Sequence, residues 1–81
     1  MKKFNAIEQT QEGKNDLLNL VIKVLALRND AALAHRLKVA PPVISKIRHN
    51  KLIVGATLVI NIMEETGLSL DQIKTELGGA E

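Results

Sequence analysis

The chain has no cysteine, tryptophan or tyrosine, and Phe4 is its only aromatic residue. Without cysteine there are no disulfides and no thiolate metal sites, and a reducing compartment is permitted. With one aromatic, the core must come from Leu, Ile, Val and Ala, and 81 residues make one domain with a modest core. No apolar run approaches the ~20 residues that cross a bilayer, so no membrane partner is expected. Met1-Lys2-Lys3 is basic, but no continuous apolar stretch follows it, which argues against a secretory signal and for a cytoplasmic protein. Proline occurs only as the pair Pro41-Pro42.

The chemistry of an enzyme is missing too. There is no phosphate-cradling glycine loop, and no paired carboxylates face a cleft; Glu64 and Glu65 read as a solvated helix end. Ser45 and Lys46 are neighbours whose side chains diverge by about 100° on a helix, with no third group to orient them. His35 and His49 fall on different helices with no acid at ligand spacing, so no metal site and no cofactor are expected. Protonating either imidazole would favour a polyanionic partner, because this side chain changes charge between about pH 5 and 8.

What the chain does have is an uneven charge. Net charge is only +2, yet residues 28–51 hold Arg28, Arg36, Lys38, Lys46, Arg48 and Lys51 against Asp30 alone. The remainder carries eight acids against five lysines. A basic middle within an acidic chain is the footprint of a surface that faces a polyanion.

Taken in order, residues 1–14 show no sustained period and read as a flexible or partly helical N-terminal arm, docking through Phe4 and Ile7 or following a DNA groove with Lys2 and Lys3. Residues 15–79 read as the folded domain. Asn15 or Asp16 can cap a first helix reaching Leu27, with Leu17, Leu18, Val21, Ile22, Val24, Leu25 and Leu27 apolar and Lys14, Asn19 and Lys23 on the wet side. Asn29 caps a second helix to Leu37, with Asp30 near its positive end. The three residues Lys38-Val39-Ala40 separate it from a third helix, about Pro41 to His49, where proline at the first turn lacks only a donor that has no intrahelical partner. Ile44 and Ile47 point inward on that helix; Pro42, Ser45, Lys46 and His49 share the opposite face. Leu52-Ile53-Val54 is expected to fold back onto the core. Gly55 opens a fourth helix, Ala56 to Thr66, ended by Gly67, and Ser69-Leu70-Asp71-Gln72 is a capping box for a last helix to Leu77. No strand candidate appears.

In Asp30–Asn50, the positions Leu33-Ala34, Leu37, Val39, Ile44-Ser45 and Ile47 resemble the helix-turn-helix of the phage-repressor/Cro-like (XRE-type) regulators, with Ala34 small where two helices would approach closely. The motif covers about a quarter of the chain. The resemblance implies a compact, all-α, five-helix lambda-repressor-like domain whose second motif helix lies in the major groove of DNA. It assigns base reading to the face bearing Ala40, Pro41, Pro42, Ser45, Lys46 and His49, and phosphate contacts to His35, Arg36, Lys38, Arg48 and Lys51. Two departures stand out: Lys38 replaces a usual glycine, and Asp30 and Pro41 occupy positions where many members carry Gln.

The function expected is sequence-specific binding of double-stranded DNA by a bacterial or phage transcriptional repressor, nucleoid-associated when bound. A homodimer is expected at least on DNA, meeting through Leu70, Ile73 and Leu77 or through apolar residues of the first helix. One alternative is an antitoxin that binds its operator and a toxin partner. Another is a helical protein-interaction module without DNA binding.

Overall fold

Thr10 opens the first helix: its Oγ1 accepts the Gly13 N–H at 2.8 Å, and α1 runs Gln11–Val24. The structure is a computed structural model that describes residues 8–78. Lys2, Lys3, Phe4, Ile7 and Gly79 lie outside that range. α2 (Asp30–Arg36) is capped by Asn29, whose Oδ1 accepts the Ala32 N–H at 2.8 Å. α3 (Pro41–Arg48) starts with both prolines and has no side-chain cap. α4 (Ala56–Thr66) follows Gly55 and ends at Gly67, whose φ of 79° is the left-handed value glycine takes without cost. α5 (Leu70–Leu77) carries the complete capping box, Ser69 with Gln72. The described residues are all-helical and contain no strand.

The first helix departs from expectation at both ends. It starts at Gln11 rather than Asn15, because Thr10 supplies the cap and Gly13 lies inside the helix instead of breaking it. It stops at Val24 rather than Leu27 because Ala26 turns left-handed, φ 55°. That turn is a Schellman closure: Leu27 N–H donates to Ile22 O at 2.9 Å and Ala26 N–H to Lys23 O at 3.2 Å.

The same closure ends the next two helices. Val39 N–H reaches Ala34 O and Lys38 N–H reaches His35 O; Lys51 N–H reaches Lys46 O and Asn50 N–H reaches Ile47 O. The left-handed residue is Ala26, Lys38 or Asn50, never glycine. Only asparagine tolerates this backbone well; Ala and Lys pay for a Cβ crowding a carbonyl. Lys38→Gly is therefore expected to raise stability by about 1 kcal/mol, seen in thermal melts as a gain of roughly 4–8 °C for a domain of this size.

The core joins all five helices. Leu17, Leu18 and Val21 of α1 meet Leu33, Ala34 and Leu37, Ile44 and Ile47, Leu58, Val59 and Ile62, and Ile73 and Leu77, with Val54 from the loop before α4. The 11.6 Å radius of gyration agrees with the roughly 11–12 Å expected of a folded chain this long. α1 and α5 lie side by side in opposite directions. Thr10 N–H donates to Leu77 O at 2.8 Å, while Leu20 shares a groove with Asp71 and Gln72. Ala34 is fully buried beneath α3, as a close pair of helices requires.

Three expectations are corrected here. Lys14 is not on the wet side but 3% exposed, one turn ahead of Leu17 and Leu18 on the same stripe. Leu52 and Ile53 do not fold back onto the core; they are 40% and 55% exposed, and only Val54 goes in. Ile73 and Leu77 are fully buried inside the monomer and offer nothing to a second subunit, whereas Leu70 stays partly exposed. Among the described residues, no helix is long and apolar enough to cross a membrane.

Candidate nucleic-acid interface

α3 has two sharply different sides. Ile44 and Ile47 are buried and Val43 is half-buried, which fixes the helix to the core. Ala40, Pro41, Pro42, Ser45, Lys46 and His49 are all exposed. The five from Pro41 to His49 fall on one open strip about 12 Å long, at 1.5 Å per residue, with Ala40 at the extended N-cap before it.

The start of the strip has an unusual electrostatic property. The N–H groups of a helix's first turn ordinarily attract anions. Here Pro41 and Pro42 have none, and the Val43 N–H is taken by Ala40 O at 2.9 Å. Residues 41–43 therefore offer an anion no free backbone donor. Any attraction for phosphate must come from side chains.

At the other end, His49 Nδ1 lies 2.8 Å from Ser45 O, which also accepts the His49 backbone N–H. A carbonyl oxygen only accepts, so Nδ1 carries the hydrogen. The ring is thereby held in one orientation, and neutral His49 has Nε2 as an acceptor. Ser45, Arg48, His49, Pro41, Asp30 and Ala31 line a shallow cleft between α3 and the start of α2.

The cations expected at phosphates divide into two groups. Lys38, in the turn before α3, and Lys51, just after it, are exposed, as is Lys46 on the strip; none makes an ion pair among the described residues. His35 is exposed on α2. Arg36 is exposed but engaged, its Nε 3.0 Å from Glu65 on α4. That pair gives Glu65, which sits unfavourably at the negative end of its helix, a compensating partner. Arg48 does not stand at the surface as a phosphate contact would. Its Nε and Nη2 form a two-pronged pair with Asp30 at 3.0 and 2.9 Å, and Nη1 reaches Asn15 O and Oδ1 at 3.3 and 3.4 Å. Arg48 ties the end of α3 to α1 and to the start of α2.

Sequence reasoning missed the residues that hold this strip from behind. Gln9 donates to Val54 O and accepts from Val54 N–H, at 2.9 and 2.8 Å. Gln11 Nε2 donates to Ile47 O and Arg48 O, at 3.2 and 2.9 Å. Lys14 Nζ donates to Asn50 Oδ1 and Leu52 O, both at 3.0 Å. Asn61 Nδ2 caps α2 through Leu37 O at 3.0 Å. The signal for Lys14 was present, since 14, 17, 18 and 21 follow the spacing of one helix face. Nothing local marks Gln9 or Gln11, whose partners lie more than thirty residues away.

Among the described residues, no group of three or more His, Cys, Asp or Glu side chains is placed to hold a metal ion. No family model, curated protein or solved structure matches the chain.

Proposed function

We propose that the chain is a sequence-specific double-stranded DNA-binding protein, most simply a repressor, in which α2, the turn 37–40 and α3 act as a helix-turn-helix within a lambda-repressor-like domain. The observation that carries this reading is the open strip of α3, flanked by the exposed lysines Lys38 and Lys51. α3 enters the major groove along this strip. Lys46 donates to guanine O6 or N7, Ser45 serves several base edges, and Ala40, Pro41 and Pro42 offer carbon to thymine methyls. Neutral His49 accepts through Nε2 from an exocyclic amine of adenine or cytosine, and protonated His49 donates instead.

Phosphate contacts come from Lys38 and Lys51, with Arg36 and His35 beside them, since the first turn of α3 has little backbone N–H to give. With Asp30 and Pro41 at positions where an amide would read adenine, the target is chosen by Lys46, His49, methyl contacts and DNA shape. Two copies on a palindromic site, with their α3 helices ~34 Å apart, give affinity that one module lacks. Bound there, the protein acts by occluding a promoter and performs no catalysis.

A second reading has its own support. Val24, Leu52, Ile53, Ile60 and Leu70 are exposed large apolar residues, which favours a protein partner as well, either a second copy or the toxin of an antitoxin pair.

Mobility shifts on a duplex selected from a random pool, repeated across a salt series, test the first reading. Affinity should fall steeply with salt, by about 0.9 log units per log unit of salt for each phosphate neutralised. Lys46→Ala should relax sequence preference and lower that slope by at most about 1, while leaving thermal stability within about 0.5 kcal/mol. A flat salt dependence sinks the proposal.

A further inference from the structure

Between Ile47 and Val54 no side chain is buried: Arg48 is half-buried, and His49, Asn50, Lys51, Leu52 and Ile53 are exposed. A segment without apolar anchors would ordinarily open easily. This one includes Asn50 in a left-handed conformation and carries two residues of the proposed interface, His49 and Lys51. Its position must be set by something other than the core.

We propose that Gln9, Gln11 and Lys14 form a polar strap that positions the end of α3 and the turn after it for DNA, without touching DNA. This inference rests on the DNA-binding reading for its consequence, though not for its structural half. The three side chains make six hydrogen bonds to the stretch Ile47–Val54. Gln11 donates to two carbonyls at the end of α3, where helix oxygens lack intrahelical partners: Arg48 O, and Ile47 O beside its bond from the Asn50 N–H. Lys14 brings its cation to the negative end of the same helix and holds both the side chain of the left-handed Asn50 and the Leu52 carbonyl. Gln9 closes the segment by pairing with both backbone groups of Val54.

The orientation of Gln11 shows that the donor is what matters. Its Oε1 is buried without a hydrogen-bond partner among the described residues, and turning the amide over would set that oxygen against two carbonyls. The side chain keeps an orphaned acceptor in order to present its N–H groups to α3. Because 9, 11 and 14 lie at and just inside the start of α1, the docking of this segment and the geometry of the reading helix are one event.

The test uses the full chain and two variants. Lys14→Met keeps the stem and removes the donors; Gln9→Met removes a half-buried contact nearer the chain's edge, for use should Lys14→Met fold poorly. Amide hydrogen exchange on free protein should quicken at least tenfold at residues 48–54 relative to α4 and α5. Affinity for the selected duplex should fall about tenfold or more, with the salt slope unchanged. Unchanged exchange at 48–54, or an equal rise throughout the protein, overturns the strap. A salt slope lowered by about 1 overturns its indirect role, since Lys14 would then be meeting a phosphate. Should wild type bind no duplex at all, the DNA reading fails while the exchange experiment still decides whether the strap exists.

Discussion

Gly13→Ala is expected to destabilise the protein strongly, although it adds only one methyl group. A Cβ at position 13 would lie 2.1 Å from Leu77 O and 2.6 Å from Glu76 O, so one methyl group meets rigid backbone. Relief requires α1 and α5 to separate. That breaks the Thr10–Leu77 hydrogen bond and opens the core around Leu17, Ile73 and Leu77. Overpacking typically costs 1–3 kcal/mol, and a clash against helical backbone should reach about 3 kcal/mol or more. In a small domain that lowers the melting temperature by roughly 4–8 °C for each kcal/mol. Alanine is otherwise the better helix former by about 1 kcal/mol, so the two effects oppose. Thermal melts decide between them: a stable or more stable variant means that the two helices do not approach as described.

The second large effect is expected at Arg48. Arg48→Met keeps much of the stem but removes the two-pronged pair with Asp30 and the contacts to Asn15. Hydrogen bonds to charged groups contribute about 1.5–3 kcal/mol when buried. Arg48 is only 20% exposed but Asp30 is 44% exposed, so solvent screening reduces the expected loss to about 1–2 kcal/mol. Denaturant unfolding should show that loss, and the salt slope of DNA binding should not change. Lys46→Ala should do the reverse, sparing stability and lowering the slope. The contrast separates a cation that holds the interface in place from one that meets the nucleic acid. A lowered slope in Arg48→Met would return Arg48 to the phosphate contacts.

Arg48 also shows where the sequence was legible and where it was not. Features written in adjacent residues came through: the prolines opening α3, Gly55 and Gly67 bounding α4, and the Ser69–Gln72 box of α5. Each is a local arrangement of caps and backbone preferences. The inward side of α3 came through as well, because Ile44 and Ile47 fall at helical spacing. What failed depended on partners distant in sequence. Gly13 gives no sign of lying inside a packed helix until Leu77 is placed against it. Lys14 looks like surface until Asn50 and Leu52 supply its acceptors. Arg48 looks like a free cation until Asp30 and Asn15 take up its guanidinium.

The exposure of Leu52 and Ile53 was hidden for a related reason. Hydropathy argues for burying all of Leu52-Ile53-Val54, yet the loop is fastened through its backbone by Gln9 and Lys14, and only Val54 reaches the core. The missing glycines misled in the opposite direction. Ala26 and Asn50 adopt left-handed turns that sequence preference assigns to glycine, so their closures are visible only in the hydrogen bonds that make them, whereas Lys38 stands where the resemblance marks a usual glycine. For α3 itself, the exposed face was legible in the helical spacing, and the division of the cations was not.

The most direct test follows backbone amide resonances of the labelled protein as a selected duplex is added. The expected result is that the largest changes fall at Lys38, Ser45, Lys46, His49 and Lys51, with α5 and the α1–α5 contact nearly still. Changes centred instead on Val24, Ile60 or Leu70, or no saturable change with any duplex, would contradict the assignment of α3 to DNA.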